Sequence, residues 1–166
     1  MRLSTEHVFM PRWSEKVHHE LMSNLLANRP DLSLERLKRT KDLMLRYNPS
    51  ALVTDYEKHI PELTLPDPND RHVLAAAIEG GCDVIVTFNL KDFPDDDLAL
   101  YDLSAISPDL FVSQCLIDRP SQVSIAIQKQ QQSLTSPPCS MNDLLQTLAS
   151  CGLPDTVANL KRYLLN

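Results

Sequence analysis

The sequence predicts an α/β fold with a parallel sheet, followed by a helical C-terminal extension. The first observation is residues 63–93, where a turn-rich acidic stretch, a mostly apolar helix pattern, a Gly80-Gly81 stop and a short strand pattern follow one another. The strand pattern at 82–87 is an apolar, β-branched run, which is typical of strands buried on both faces of a parallel sheet. The second observation is the change of character after Pro120, beyond which the patterns are helical and interrupted by Ser, Thr and Pro.

The N-terminal elements are predicted from capping residues and apolar spacing. A brief strand is predicted at 7–11, closed by a proline, and another at 51–54. Ser14 is the predicted cap of a first helix, and Ser33 that of a second helix that runs to Tyr47. The second helix has a basic face, which either is solvated or contacts an RNA backbone or an acidic partner segment.

The central helix–strand unit places two acids where they could converge. Asp70 heads the helix, and Asp92 lies in the polar loop that leaves the carboxyl end of the strand, where ligands collect in open α/β sheets. Clustered carboxylates suit a hard cation such as Mg²⁺ or Mn²⁺. The alternative is structural: an Asp at a helix start is often a cap, and an Asp in a loop is often solvated.

The C-terminal third is predicted to be mostly helical. An edge strand is predicted at 104–107, and a helix from Pro108 to Ile117 with proline in its first turn. Three further helices are predicted at 121–132, 140–150 and 154–165, and the last two would form a hairpin that packs on the preceding domain or on a partner. These patterns predict a first domain at 1–117 and a helical extension at 118–166.

Composition narrows the classes of partner. The 166 residues include 16 basic and 22 acidic side chains, a formal charge of −6. This balance disfavours non-specific binding of nucleic acid through a broad basic face, so any RNA contact must be local. The cysteines form no CxxC pair, which argues against a zinc site or a disulfide framework. The sequence has no apolar run of membrane-spanning length and no signal peptide, so we expect a cytoplasmic protein without membrane contact.

Three segments together resemble the PIN domain, the nuclease fold of VapC-type toxins. They are an Asp heading an Ala-rich helix at 67–77, a buried strand ending in Thr-x-Asn-x-x-Asp-Phe at 86–93, and a helix at 13–21 that carries Glu20 two turns in. By spacing alone Glu20 is more often a solvated surface acid than a ligand, and the adjacent His18 and His19 are predicted to lie at the surface or in a groove. The resemblance is closest to a branch with a C-terminal helical extension, and it implies a three-layer PIN-like fold with a central parallel sheet.

The resemblance implies a metal-dependent endoribonuclease that cleaves RNA phosphodiester bonds with a metal-activated water. Its catalytic residues and ligands for Mg²⁺ or Mn²⁺ would be Glu20, Asp70 and Asp92. Supporting roles are implied for three residues, with Asp67 as a fourth acid and with Thr87 and Asn89 as hydrogen-bonding supports. Arg71 would contact phosphate or pair with nearby acids. The implied partners are RNA, an antitoxin protein and further copies of the same chain.

One departure from the family pattern concerns the N-terminus. PIN domains begin with a strand that ends in a metal-ligating Asp. This sequence has no such strand ahead of its first helix. We therefore expect either that an upstream segment or another chain supplies this strand, or that the chain has lost catalysis. Without that acid, metal affinity and catalysis should both be impaired. The alternative function is a catalytically inactive PIN-like module that acts in protein–protein association.

Overall fold

The structure is a computed structural model that describes residues 2–29 and 31–164. Its helices and strands, in chain order, are α1 (Arg2–Thr5), α2 (Glu15–Asn28), α3 (Leu34–Tyr47), α4 (Arg71–Glu79), β1 (Val84–Val86), α5 (Asp95–Ala99), β2 (Ser104–Ile106), α6 (Pro108–Asp118), α7 (Pro120–Ser133), α8 (Met141–Ser150) and α9 (Pro154–Leu164). Short 3₁₀ helices occupy Pro49–Ala51, Tyr56–Glu62, Pro68–Asp70 and Leu90–Asp92. The described residues exclude residue 165, where the last helix is predicted to end. They also exclude residues 1 and 166, the first residue of the first predicted domain and the last residue of the predicted extension.

The strands β1 and β2 form a two-stranded parallel sheet. The Ser104 N–H donates to the Asp83 carbonyl at 3.3 Å, and the Thr87 N–H donates to the Ile106 carbonyl at 3.0 Å. Both strands therefore advance in the same direction between the two hydrogen bonds, which is the parallel arrangement. The predicted α/β class and the predicted strands at 82–87 and 104–107 are confirmed, with each strand shorter than predicted.

Two predicted strands are wrong. Residues 7–11 form no strand: the chain turns at His7, which adopts a left-handed backbone conformation with φ 55° that a strand does not tolerate. The Phe9 ring instead packs edge-on against Phe111, with ring centroids 5.0 Å apart. Residues 51–54 contribute only a single parallel bridge between Trp13 and Leu52.

Residues 11–29, 31–85 and 89–105 form one compact unit, called here the α4 unit. Helix α4 packs against the 3₁₀ helix Tyr56–Glu62, and His72 and residues 74–77 of α4 are buried. The core of this unit consists of Val53, Tyr56, Leu63, Leu65, Leu74, Ala75, Ala76, Ala77, Ile85, Phe93, Leu98 and Leu103. At the end of α4, Gly81 has φ +58°, the left-handed conformation that glycine adopts without strain, which confirms the predicted helix stop.

Helix α2 begins as the sequence predicts but buries an unexpected side chain. The Ser14 hydroxyl accepts the Val17 N–H at 3.2 Å, and Ser14 itself is fully buried. His18, predicted at the surface or in a groove, is only 3% exposed and packs edge-on against Trp13 with ring centroids 5.2 Å apart. The prediction for His18 is wrong because Trp13 covers the first turn of the helix, whereas His19 is exposed as expected.

Residues 2–10, 86–88 and 106–164 form the second compact unit, called here the α6 unit. Helix α6 packs against α7 and α9, α8 packs against α9, and α1 packs against α7. The core of this unit consists of Val8, Cys115, Leu116, Val123, Leu145, Val157 and Leu160. The α6 unit contains the predicted extension together with α6 and residues 2–10, and the boundary between 117 and 118 stays a prediction.

None of the helices in the described residues combines the length and the apolar composition that crossing a lipid bilayer requires.

Candidate metal centre

Three aspartates of the α4 unit converge at one place. Asp67, Asp70 and Asp92 each contribute a carboxylate oxygen, and these oxygens lie within 4.8 Å of one another. Asp70 ends the 3₁₀ helix before α4, whereas Asp92 ends the 3₁₀ helix Leu90–Asp92. All three side chains are half-buried, so neither Asp70 nor Asp92 is an ordinary solvated surface acid.

Asp70 does not serve as a helix cap. It occupies the N-cap position of α4, yet its carboxylate accepts no capping hydrogen bond. Burial raises the pKa of Asp70, and the negative charges of Asp67 and then Asp92 raise it further. Ionisation of the Asp70 carboxylate is therefore less favourable here than in water. A cation bound between these acids would favour the ionised form.

The other two aspartates are oriented by amides close by in sequence. Asp67 Oδ1 accepts the Asn69 backbone N–H at 2.8 Å and the Asn69 side-chain amide at 3.0 Å. The Asn89 side-chain amide donates to Asp92 Oδ2. In each pair only one carboxylate oxygen is engaged by the amide, so an oxygen remains on each acid for a further ligand.

Glu20 approaches this region from helix α2. Its Oε1 lies 3.1 Å from Nε2 of His72, a residue of α4 that is only 2% exposed at its side chain. The two atoms lack the alignment of a hydrogen bond, since neither ring nitrogen of His72 has a hydrogen-bond partner within the described residues. The charge of Glu20 is among the lesser causes that raise the pKa of Asp70, but Glu20 does not belong to the group of three.

The remaining predicted site residues are Arg71 and Thr87. Arg71 begins α4 and is half-buried, and its Nε has no hydrogen-bond partner among the residues described. Thr87 belongs to the α6 unit, where its backbone N–H donates to the Ile106 carbonyl. Their roles, like the roles of all the predicted site residues, stay predictions.

The donor set fits a hard divalent cation. Three carboxylate oxygens within 4.8 Å of one another are the oxygen ligands that Mg²⁺ and Mn²⁺ take, usually together with waters. The raised pKa of Asp70 is a second indication, because burial first and then the charges of Asp67 and Asp92 disfavour the ionised carboxylate, and a bound cation would favour it. The thiols and imidazoles that would favour a softer metal are absent from this group of three.

His72 is a residue of this region that no sequence motif singles out. On a helix His72 shares a face with Ala75 and Ala76, both of which are buried, so the spacing alone could have predicted its burial. Its neighbour Glu20 comes from a different helix, and no spacing rule predicts that contact.

Two family models match the chain. A model described as the PIN domain matches residues 1–91, and a model described as the VapC50 C-terminal domain matches residues 108–162. The first match contains Glu20, Asp67 and Asp70, and Asp92 directly follows it.

A relative from Mycobacterium tuberculosis, named "Putative ribonuclease VapC50", is 38% identical over 93 residues, which is 56% of this chain and 54% of the relative. The chain thus matches about half the length of this curated relative. No solved structure shows a significant match to the chain.

Proposed function

This chain belongs to the PIN domain family, and on that basis we propose that it is a VapC-type endoribonuclease that depends on Mg²⁺ or Mn²⁺. The observation that carries the proposal is the convergence of Asp67, Asp70 and Asp92 within 4.8 Å. The name of the mycobacterial relative supports the choice of RNA as substrate.

Glu20, Asp70 and Asp92 are the proposed ligands of the cation, with Asp67 as a fourth acid. A bound divalent ion supplies Lewis acidity, which favours deprotonation of water and stabilises negative charge on phosphate oxygens. The protein residues hold the carboxylates in place for it. Asn89 does so for Asp92 through its amide, and Asp67 is held by the backbone and side chain of Asn69.

The substrate would be held by local contacts. Arg71 follows Asp70 directly and is half-buried, and its guanidinium group is the proposed contact to a phosphate of RNA. With a formal charge of −6 the chain offers little general attraction to a polyanion. We therefore propose that RNA is recognised at the cation and at Arg71.

The proposed setting follows from the family. An antitoxin protein would bind and restrain the nuclease, copies of the chain would associate, and the protein would act in the cytoplasm, where its RNA substrate is present. These proposals rest on the match to the PIN domain and on the relative's name.

The decisive experiment is RNA cleavage by the purified chain. Single-stranded RNA should be cut in the presence of Mn²⁺ or Mg²⁺ and left intact with EDTA. Replacing Asp70 or Asp92 with Asn keeps the side-chain size and removes the charge, and should lower the rate by about 100-fold or more. Asp96→Asn is the matched control, because Asp96 is an exposed acid in the first turn of α5 and lies outside the group of three. Equal cleavage by the Asp70, Asp92 and Asp96 variants would refute the proposal.

A second candidate function, protein association without catalysis, is favoured by helix α3. This helix has no buried residue, and its apolar Leu34 and Leu43 are 46% and 43% exposed beside a basic face. Exposed apolar residues on an amphipathic helix are typical of a surface that binds a partner. Calorimetry that detects no Mn²⁺ uptake at millimolar concentration would favour this function over the nuclease.

A further inference from the structure

The imidazole of His72 is buried without a hydrogen bond beside one of the acids. Its side chain is 2% exposed, and neither Nδ1 nor Nε2 has a hydrogen-bond partner in the described residues. A neutral imidazole carries one N–H donor and one acceptor nitrogen, and leaving a buried donor unpaired is unfavourable. The nearest acceptor is Oε1 of Glu20, 3.1 Å from Nε2.

Glu20 has the freedom to complete this hydrogen bond. Its side chain is 46% exposed, which leaves room for rotation about its side-chain torsions. His72 is enclosed by the packing of α4, whose Leu74, Ala75 and Ala76 are buried. The fixed partner is therefore the imidazole, and the partner that adjusts is the carboxylate.

We propose that His72 is a positioning residue whose Nε2–H holds the Glu20 carboxylate toward the Asp70 side of the cation site. The inference rests on the proposed function, because it assigns Glu20 to the cation. A freely rotating Glu20 would lose side-chain entropy on binding, whereas a carboxylate already held by a buried donor loses less. Deleting such a supporting hydrogen bond lowers metal affinity without touching a ligand.

The test is calorimetric titration of the full chain with Mn²⁺. His72→Leu removes the donor and should weaken Mn²⁺ binding by about 10- to 100-fold. His72→Gln retains an N–H donor near the position of Nε2 and should bind within about threefold of the unmodified chain. Glu20→Gln should weaken binding by itself, and the Glu20→Gln, His72→Leu double variant should bind no more weakly than Glu20→Gln alone.

His18→Leu is the matched control for the loss of a buried imidazole. His18 is 3% exposed, its Nε2 also has no hydrogen-bond partner among the described residues, and its ring packs on Trp13. This variant should retain Mn²⁺ affinity, and thermal unfolding of every variant would separate loss of affinity from loss of folding.

A readout without metal is the tautomer of His72, observed through the nitrogen chemical shifts of its ring. The inference expects the Nε2–H tautomer in the metal-free chain and a changed Nε2–H proton shift in Glu20→Ala. An Nδ1–H tautomer, Mn²⁺ affinity unaffected by His72→Leu, or additive losses in the double variant would each overturn the inference and leave the nuclease proposal standing. Absence of Mn²⁺ uptake by the unmodified chain would overturn both.

Discussion

Asp109 and Thr156 join the first turns of helices α6 and α9. Asp109 Oδ1 accepts the Thr156 backbone N–H at 2.8 Å, and the Asp109 carbonyl accepts the Thr156 hydroxyl at 3.1 Å. Asp109 Oδ2 accepts the Asp155 N–H at 2.9 Å. One carboxylate thus satisfies two otherwise unpaired N–H groups at the start of α9, the task that an N-cap residue usually performs from within the helix.

We predict that Asp109→Ala lowers the free energy of unfolding by about 1–2 kcal/mol, because both N–H groups lose their acceptor. Asp109→Asn keeps one acceptor oxygen and should lose less. Gln114→Ala, an exposed change in the same helix, is the control and should be nearly neutral. The measurement is denaturation with urea. Equal stability of Asp109→Ala and Gln114→Ala would contradict the prediction.

The same contact should be sensitive to acid. Burial alone would raise the pKa of Asp109, but the hydrogen bonds from Thr156 and Asp155 outweigh it and leave the pKa below the usual 3.8. A folded-state pKa below the unfolded one stabilises the protein above the unfolded value, and the stabilisation disappears as the pH falls through the folded value. The stability difference between the unmodified chain and Asp109→Asn should therefore shrink below about pH 4.

Asp70→Asn should stabilise the protein in the absence of metal. Burial and the neighbouring acids raise the pKa of Asp70, so the folded state disfavours the ionised form, and its stability falls as the pH rises through that pKa. The neutral amide avoids this repulsion. We expect a higher melting temperature for Asp70→Asn at pH 7 in EDTA, together with loss of Mn²⁺ binding. A lower melting temperature in EDTA would show that Asp70 stabilises the fold for another reason.

Ser14 and Ser33 offer a matched pair of helix caps. The Ser14 hydroxyl accepts the Val17 N–H at 3.2 Å, and the Ser33 hydroxyl accepts the Arg36 N–H at 3.3 Å. Ser14→Ala and Ser33→Ala should each lower stability by about 0.5–2 kcal/mol. Only Ser14→Ala should also weaken Mn²⁺ binding, because α2 carries Glu20. The measurement is calorimetric titration with Mn²⁺. Equal Mn²⁺ affinity of the two variants would show that the Ser14 cap does not affect the position of Glu20.

Gly152 and Gly81 differ in the space around them. Both have positive φ, +89° and +58°, but a Cβ on Gly152 would lie 2.9 Å from Cε1 of Phe88, whereas a Cβ on Gly81 would meet no atom within 4 Å. Gly81→Ala should lower stability by about 1–2 kcal/mol through backbone strain. Gly152→Ala should lower it further, and adding Phe88→Ala should recover part of that excess in denaturation experiments.

The local features of the fold were predictable from the sequence. The helices that start after Ser14 and Ser33 and the stop at Gly81 were predicted from neighbouring residues, because caps and stops involve only groups within about one turn. The proximity of Asp70 and Asp92 was also anticipated, because one helix–strand unit positions both acids.

The contacts between distant residues were decided only by the tertiary structure. Residues 7–11 have a strand-like composition, yet His7 turns the chain and Phe9 packs against Phe111. His72 faces Glu20 and Asp109 binds Thr156 across different helices. Sequence spacing specifies which face of a helix is apolar, but which partner covers that face depends on how all the elements pack, and packing is determined by residues far apart in the chain.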